Sequence, residues 1–411
     1  MSKLHKYAFS DLYDISSGIS STKEQAGHGA PFVSFSTVFD NYFLPDELPD
    51  LMDTSAVDQE KCSVKKGDIL ITRTSENVDE LAMSCVVLKD HPKATFSGFV
   101  KRLRPKTTGI AYDKYMAFFL RNEYFRKVIN AKTIMTLRAS FNEDIFSFLD
   151  LYLPDYEEQV RIGDFLYNIE KKIQCNKKIN DNLQRQLKLL YDYWFTQFDF
   201  PDENGKPYRS SGGAMVWNEQ LKHSIPLGWK AEKLCDVFDI TMGSSPIGES
   251  LNENQNGIEF YQGSTDFGDI YPTERVYTTS PVRYAKAQDI LLSVRAPVGA
   301  INISMNDCCI GRGLAAVHHK STVYAWCTIS TLQPYFDIFN ANGTTFGALT
   351  SDDLKNRYIV SADNQVLQKF IEFSKPLENI LRISSKETRE LISLRDWLLP
   401  MLMNGQATIS D

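Results

Sequence analysis

No run of about 18 consecutive apolar residues occurs in the 411-residue chain, so no membrane-spanning helix is expected. The opening residues, Met1 to Ile15, lack the apolar core of a secretory leader, and a cytoplasmic location is expected. Cysteine is scarce, at seven residues, with no C-x-x-C pair. A disulfide framework is therefore not expected, and buried reduced thiols are. The adjacent pairs Cys308-Cys309 and His318-His319 do not have zinc-ligand spacing, so no metal site is expected. No G-x-x-x-x-G-K-[ST] loop is present, which argues against a P-loop ATPase. Nor is there a Gly-rich dinucleotide loop, or the Asn/Asp-Pro-Pro-aromatic tetrapeptide of amino-methyltransferases. Pro154-Asp155 with Glu170-Lys-Lys172 resembles a nuclease pattern only superficially, because Glu170 falls inside a heptad repeat where charged flanks are normal. No nucleophile, base and orienting group stand together in any recognisable motif, and no catalytic residue is expected.

What is present is ordinary globular material, 43% hydrophobic and 24% charged. That is enough for about two or three domains. The net charge of -7 argues against a polyanionic partner. The charge is uneven, however. From Pro92 to Arg138 there are eleven Lys or Arg, opposed only by Asp113 and Glu123. Such a run would suit a phosphate-facing surface, or simply a solvated face with acidic neighbours in space.

The strongest signal is internal duplication. Phe9-Ser-Asp-Leu-Tyr-Asp-Ile-Ser-Ser-Gly18 matches Leu234-Cys-Asp-Val-Phe-Asp-Ile-Thr-Met-Gly243 without a gap. Lys65-Lys-Gly-Asp-Ile-Leu-Ile-Thr-Arg73 matches Lys286-Ala-Gln-Asp-Ile-Leu-Leu-Ser-Val294, in each case an acidic turn entering an apolar strand. Capping patterns follow at Ser140-x-x-Glu143 and Thr350-x-x-Asp353, which predict short helices. Then come strands at Phe148–Pro154 and Asn356–Val360, and long helices after Glu158-Gln159 and Asn364-Gln365. The period of about 205 to 225 residues is too long for a solenoid. Two copies of an α+β globule followed by a helix account for it.

Both helices carry a seam. Positions 162, 166, 169, 173, 176, 180, 183, 187, 190 and 194 alternate steps of four and three, with Asn176 and Asn180 at the centre of an otherwise apolar row. The second row is Phe370, Phe373, Leu377, Ile380, Ser384, Glu387, Leu391, Leu394 and Leu398. Antiparallel packing would set Asn176 and Asn180 against Glu387 and Ser384 in one polar layer. Parallel packing would set polar groups against apolar ones, which is unfavourable when buried. Antiparallel packing is therefore predicted, with Pro376 a possible break or kink. Between the halves, Asn204-Gly205 predicts a small hairpin turn.

In these motifs the chain resembles the DNA-specificity (S) subunits of type I restriction-modification systems. They are Gly67-Asp-Ile-Leu70, Leu153-Pro-x-x-Glu-x-Gln159, Phe200-Pro…Asn204-Gly-Lys-Pro-Tyr208, Ser211-Gly-Gly-x-Met-Val216 and Ile225-Pro-x-Gly-Trp229. The second half departs from the pattern, with Gln288 before Asp-Ile-Leu and Ser361-Ala-Asp-Asn-Gln365 where Pro and Glu are usual. The resemblance implies an α+β fold of two target-recognition domains joined by two long helices packed as an antiparallel coiled coil. The expected divisions are 1–154 and 225–362 for the two recognition domains, 155–198 and 363–404 for the helices, and 199–224 for the linker. It implies a non-catalytic subunit reading one half of a split, asymmetric double-stranded DNA site with each domain. The helices would act as a spacer and dock two methyltransferase (M) subunits. S-adenosylmethionine, ATP and Mg would belong to those subunits and to the restriction (R) motor-nuclease subunits, and no cofactor to this chain.

Polar and basic residues in equivalent loops are the expected DNA contacts, since guanidinium groups and hydroxyls serve both bases and phosphates. In the first half they are Lys23, Thr37, Arg73, Thr74, Lys101, Arg102 and Arg138. In the second they are Ser244, Ser245, Ser264, Thr265, Arg295, Arg312, Thr344 and Thr345. Ile179, Leu189 and Ile383, apolar on the helix flanks, are the expected partner contacts. One rival reading is the recognition fragment of a single-chain restriction-methylation enzyme. Another is a scaffold that bridges proteins through its helix pair without touching DNA.

Overall fold

The computed structural model describes residues 4–75, 80–132, 139–341 and 347–409. Its contacts divide into two units, Met1–Cys175 with Thr388–Asp411, and Asn176–Glu387.

The first unit is built on a four-stranded antiparallel sheet in the order Tyr13–Ser17, Val100–Pro105, Ile69–Thr72, Ser84–Val86. Ile69–Thr72 is buried along its whole length, as its continuous apolar run requires of a central strand. Asp68 turns the chain into it: its Oδ2 accepts the Lys65 N–H at 2.8 Å. A second sheet includes the parallel pair Ala26–Val33 and Thr95–Phe96. His5–Ala8 pairs antiparallel with Asp150–Leu153, just before the central helix.

The second unit repeats this plan. Its four-stranded sheet runs Asp239–Met242, Leu314–His318, Ile290–Ser293, Ile301–Ile303, in the same strand order. Asp289 Oδ2 accepts the Lys286 N–H at 2.8 Å, as Asp68 does in the first unit. The parallel pair recurs as Ile258–Tyr261 with Cys308–Ile310, and the antiparallel pair as Lys230–Lys233 with Tyr358–Ser361. Thr350 and Asp353 form the expected capping box. In the first unit the cap is Asn142, not Ser140: its side chain accepts the Ile145 N–H. The Asn204-Gly205 turn is present, closed by Asp202 and bridged at Pro201 and Pro207.

The central helix spans Tyr156–Tyr191 and the distal helix Asn364–Met403. Gln159 explains the motif at the start of the first. It is buried, accepts the Tyr112 N–H at 3.0 Å and donates to the Ile110 and Pro154 carbonyls at 2.8 Å. Gln365 has no such role and is exposed. The parts of the two helices that belong to the second unit pair antiparallel. In the second unit Asn176 Nδ2 donates to Glu387 Oε2 at 2.8 Å and Asn180 Nδ2 to Ser385 Oγ at 3.1 Å. In the first, Arg395 Nη1 meets Glu170 Oε2 at 2.6 Å.

The seam of the central helix is buried as predicted except at Leu190, where Tyr191 is buried instead, but that of the distal helix differs. Val366, Phe370, Ser374, Leu381, Ser384, Ser385, Thr388, Leu399, Leu402 and Met403 are its buried residues, so the expected Phe370 and Ser384 are inside, while the expected Phe373, Ile380 and Leu394 are 62%, 49% and 40% exposed. Apart from Phe370 and Ser384, the buried row runs one residue after the predicted one. The helix continues through Pro376. Glu170 is not an exposed flank but half of a buried ion pair.

Candidate functional site

In each unit the ends of both sheets converge on one rim, held by a shared set of backbone hydrogen bonds. In the second unit Ser244 N–H donates to Ile310 O at 2.9 Å, Gly311 to Tyr261 at 2.8 Å, Val294 to Gly313 at 2.9 Å and Leu349 to Val294 at 2.9 Å. In the first, Ile19 donates to Phe96 at 2.9 Å, Ser97 to Val33 at 3.0 Å, Arg73 to Phe99 at 2.8 Å and Phe141 to Arg73 at 2.7 Å. The bonds match one for one. They equate Ile19 with Ser244, Ser34 with Gln262, Gly98 with Arg312, and Arg73 with Val294.

This frame sorts the expected contacts. Arg73 and Thr74 lie on the first rim, where the exposed Arg73 reaches back to the Gly98 carbonyl at 3.4 Å. Ser244, Ser245, Arg295 and Arg312 lie on the second, and Ser264 and Thr265 follow in a 3-10 turn. Arg73 and Arg295 both leave the Asp-Ile-Leu strand but occupy successive positions: Arg295 corresponds to Thr74, each bridging the strand end to the segment before the capped helix. Lys23 is exposed in the turn Lys23–Gln25. Arg138, Thr344 and Thr345 lie outside the described residues.

Three candidates are interior. Thr37 is buried beside the helix cap Ser34, their hydroxyls 3.0 Å apart. Lys101 is buried, its ammonium 2.9 Å from Ser17 Oγ. Arg102 is buried, donating to Ser63 O at 2.6 Å with its guanidinium over the Phe96 ring. Burial of a cation is tolerated because these oxygens replace its water.

Most of the other described residues of the basic run also meet oxygens of the protein, whether half-buried or, like Lys127, on the surface. Arg104 pairs with Asp68 at 2.7 Å, Lys114 with Asp164 at 2.7 Å and Lys127 with Glu123 at 2.6 Å. Arg121 donates to the carbonyls of Val38, Phe39, Asn41 and Ser84, and Arg126 to that of Leu81.

The rims also carry residues that the sequence did not single out. Gln262 accepts a hydrogen bond from Ser245 Oγ at 2.8 Å and is exposed. Phe99 is 59% exposed between Gly98 and the strand Val100–Pro105. Gln262 stands two residues before Ser264 in a hydroxyl- and amide-rich stretch after an apolar strand, and that was its only signal.

Cys308 is buried, and burial pushes its thiol up to about 12. His318 pairs with Asp289 at 2.5 Å. Burial against Phe238 and Tyr324 holds the His319 imidazole below its usual range. Among the described residues no group of three or more His, Cys, Asp or Glu is placed to hold a metal, and no helix is long and apolar enough to cross a membrane.

On the helices, Ile179, Leu189 and Ile383 are exposed, by 40%, 67% and 63%. All three belong to the second unit, as do Phe373 and Ile380.

Residues 1–185 and 226–391 match the family described as the type I restriction modification DNA specificity domain, once in each half. The chain is 26% identical over 404 residues to the putative type I restriction enzyme MjaX specificity subunit of Methanocaldococcus jannaschii, covering 96% of this chain and 91% of that one. It is 21% identical over 469 residues to the type I restriction enzyme HindI specificity subunit of Haemophilus influenzae, covering 96% and 98%. In fold it resembles the S subunit of the type I restriction-modification system from M. genitalium, with a TM-score of 0.60, 16% identity, and coverage of 98% and 96%.

Proposed function

We propose a function for a chain that belongs to the type I restriction-modification DNA specificity family: it is the subunit that chooses the DNA sequence. Each unit reads one half of a bipartite, asymmetric double-stranded site through its rim. The observation that carries this is the rim itself. One backbone frame is built twice: the first copy presents the exposed Arg73 beside Thr74, and the second the exposed Gln262, Arg295 and Arg312 beside the half-buried Ser244 and Ser245, side chains of the kinds that bond base edges and phosphates. The two copies differ in side chains, as two unlike half-sites require.

Catalysis lies elsewhere in this reading. Two methyltransferase subunits dock on the exposed apolar residues of the helices and supply S-adenosylmethionine chemistry on adenine. Restriction subunits supply ATP- and Mg-dependent translocation and cleavage. The helices act as the spacer between the half-sites, and the complex works in the cytoplasm. Sequencing methylated DNA from cells carrying the chain with its methyltransferase partner tests the proposal. A single bipartite motif that vanishes when the chain is deleted is expected. Methylation that is indifferent to the chain would refute it.

A further inference from the structure

The second unit joins three rim side chains into one device. Ser245 Oγ donates to Gln262 Oε1 at 2.8 Å and accepts the Arg312 N–H at 3.4 Å. One hydroxyl therefore positions both the amide and the turn that carries the guanidinium. That turn is Gly311-Arg-Gly313, and its glycines are required by space. A Cβ on Gly311 would lie 2.9 Å from Gln262 Cα, and one on Gly313 would lie 2.5 Å from Gln262 O. A Cβ on Gly243, across the turn, would lie 2.1 Å from Gly311 O. The backbone is thus pressed against Gln262 on both sides of Arg312. The Arg312 side chain is exposed and has no hydrogen-bond or ion-pair partner among the described residues. An arginine needed only for folding would be tied down, as Arg121 is by its four carbonyls.

The equivalent positions in the first unit carry neither group. Ser34 stands for Gln262 and Gly98 for Arg312, and that rim takes its cation from Arg73 instead, where the second unit has Val294. We infer that Gln262 and Arg312 are base-reading residues of the second half-site, with Ser245 as their positioning residue. The inference rests on the reading above, that the rims face DNA, and assigns part of the readout to named side chains. The chemistry fixes the bases. A carboxamide bonds adenine at N6 and N7, with its NH2 donating and its oxygen accepting. The Ser245 bond occupies one lone pair of Gln262 Oε1 and leaves the other lone pair and both N–H donors. A guanidinium bonds guanine at O6 and N7. Holding the Gln262 amide and the turn that carries Arg312 before DNA arrives lowers the ordering cost of using them.

The test is the methylation motif of Gln262→Ala and Arg312→Ala, each expressed with the methyltransferase partner, with rates on duplexes substituted at each position of the site. Gln262→Ala is expected to lose its demand for adenine at one position. Arg312→Ala is expected to lose its demand for guanine at another position of the same half. Discrimination at each should fall about 10- to 100-fold, with the other half-site unchanged. Slower methylation with an unchanged motif would mark phosphate contacts and overturn the assignment, as would relaxation in different halves. If the unaltered chain with its partner methylates no defined sequence, the functional reading fails instead. Both side chains are exposed, so melting temperatures close to the parent are expected, and an unfolded variant would contradict the rim geometry itself.

Discussion

At the scale of single residues, the two halves solve the same turn with different side chains. The strand Ile69–Thr72 is entered through Gly67 at φ +88°, and its counterpart through Gln288 at φ +72°. A side chain in that region costs about 1–2 kcal/mol. Gln288→Gly should therefore stabilise the second unit, by about 0.5–1 kcal/mol once the greater freedom of an unfolded glycine is counted. Urea unfolding of the two proteins measures it, and a lower midpoint for the variant would contradict the strain. The buried pair of Glu170 and Arg395 makes an opposite forecast. Their side chains are 5% and 13% exposed and 2.6 Å apart. Glu170→Ala leaves the guanidinium only the half-exposed Asp396 carboxylate, 2.9 Å away, and a loss of about 1–3 kcal/mol is expected. A change under about 1 kcal/mol would show that the pair is solvated like a surface bridge. These residues show where sequence reading stops. Eleven basic residues in one stretch look like a surface. Whether a cation meets phosphate or a carbonyl is decided by partners far along the chain: Arg121 is held by Val38 and Phe39, more than 80 positions away.

At the scale of elements, the periodic signals were legible and their phase was not. The central helix buries the seam its heptads predict, except at Leu190, and the polar layer pairs Asn176 with Glu387 as antiparallel packing requires. Asn180 meets Ser385 rather than Ser384, and the distal helix buries Ser374 and Leu381 where Phe373 and Ile380 were expected. The physical reason is that the distal helix has two apolar stripes side by side. Apolarity records that a face is covered, not what covers it, so the sequence mixed the stripe packed within the chain with the one left outside. Small polar residues line the inner stripe, where Ser385 takes the Asn180 amide at 3.1 Å. The outer stripe of the second unit has its own consequence. Ile383 is 63% exposed, so Ile383→Glu should leave unfolding within about 0.5 kcal/mol of the parent. If this face docks the methyltransferase, the same change should sharply reduce its recovery in co-purification. Undiminished recovery would move the docking surface elsewhere.

At the scale of the whole molecule, the duplication was the plainest message in the sequence, because a fold repeated twice leaves the same strand entries and caps in the same order. The discontinuity of the first unit was hidden. Linear divisions assign each helix to its own span of chain, but Thr388–Asp411 belongs with Met1–Cys175. Leu399, Leu402 and Met403 are buried in the same apolar cluster as Phe118, Leu120 and Leu166. The last turns of the distal helix thus complete a core whose remaining residues come from the other end of the chain. Removing 388–411 would uncover that cluster and strip Glu170 of Arg395, and buried Leu or Met side chains each contribute about 2–5 kcal/mol when truncated. The shortened chain should lose amide protection in Ile69–Thr72 and Asp113–Phe119, hundreds of residues from the cut. Ile290–Ser293 in the second unit should keep its own, since hydrogen exchange reports each cooperative region separately. A synthetic 388–411 segment added in trans should restore part of the lost protection. Equal protection of the first unit with and without these residues would mean that it closes its core unaided.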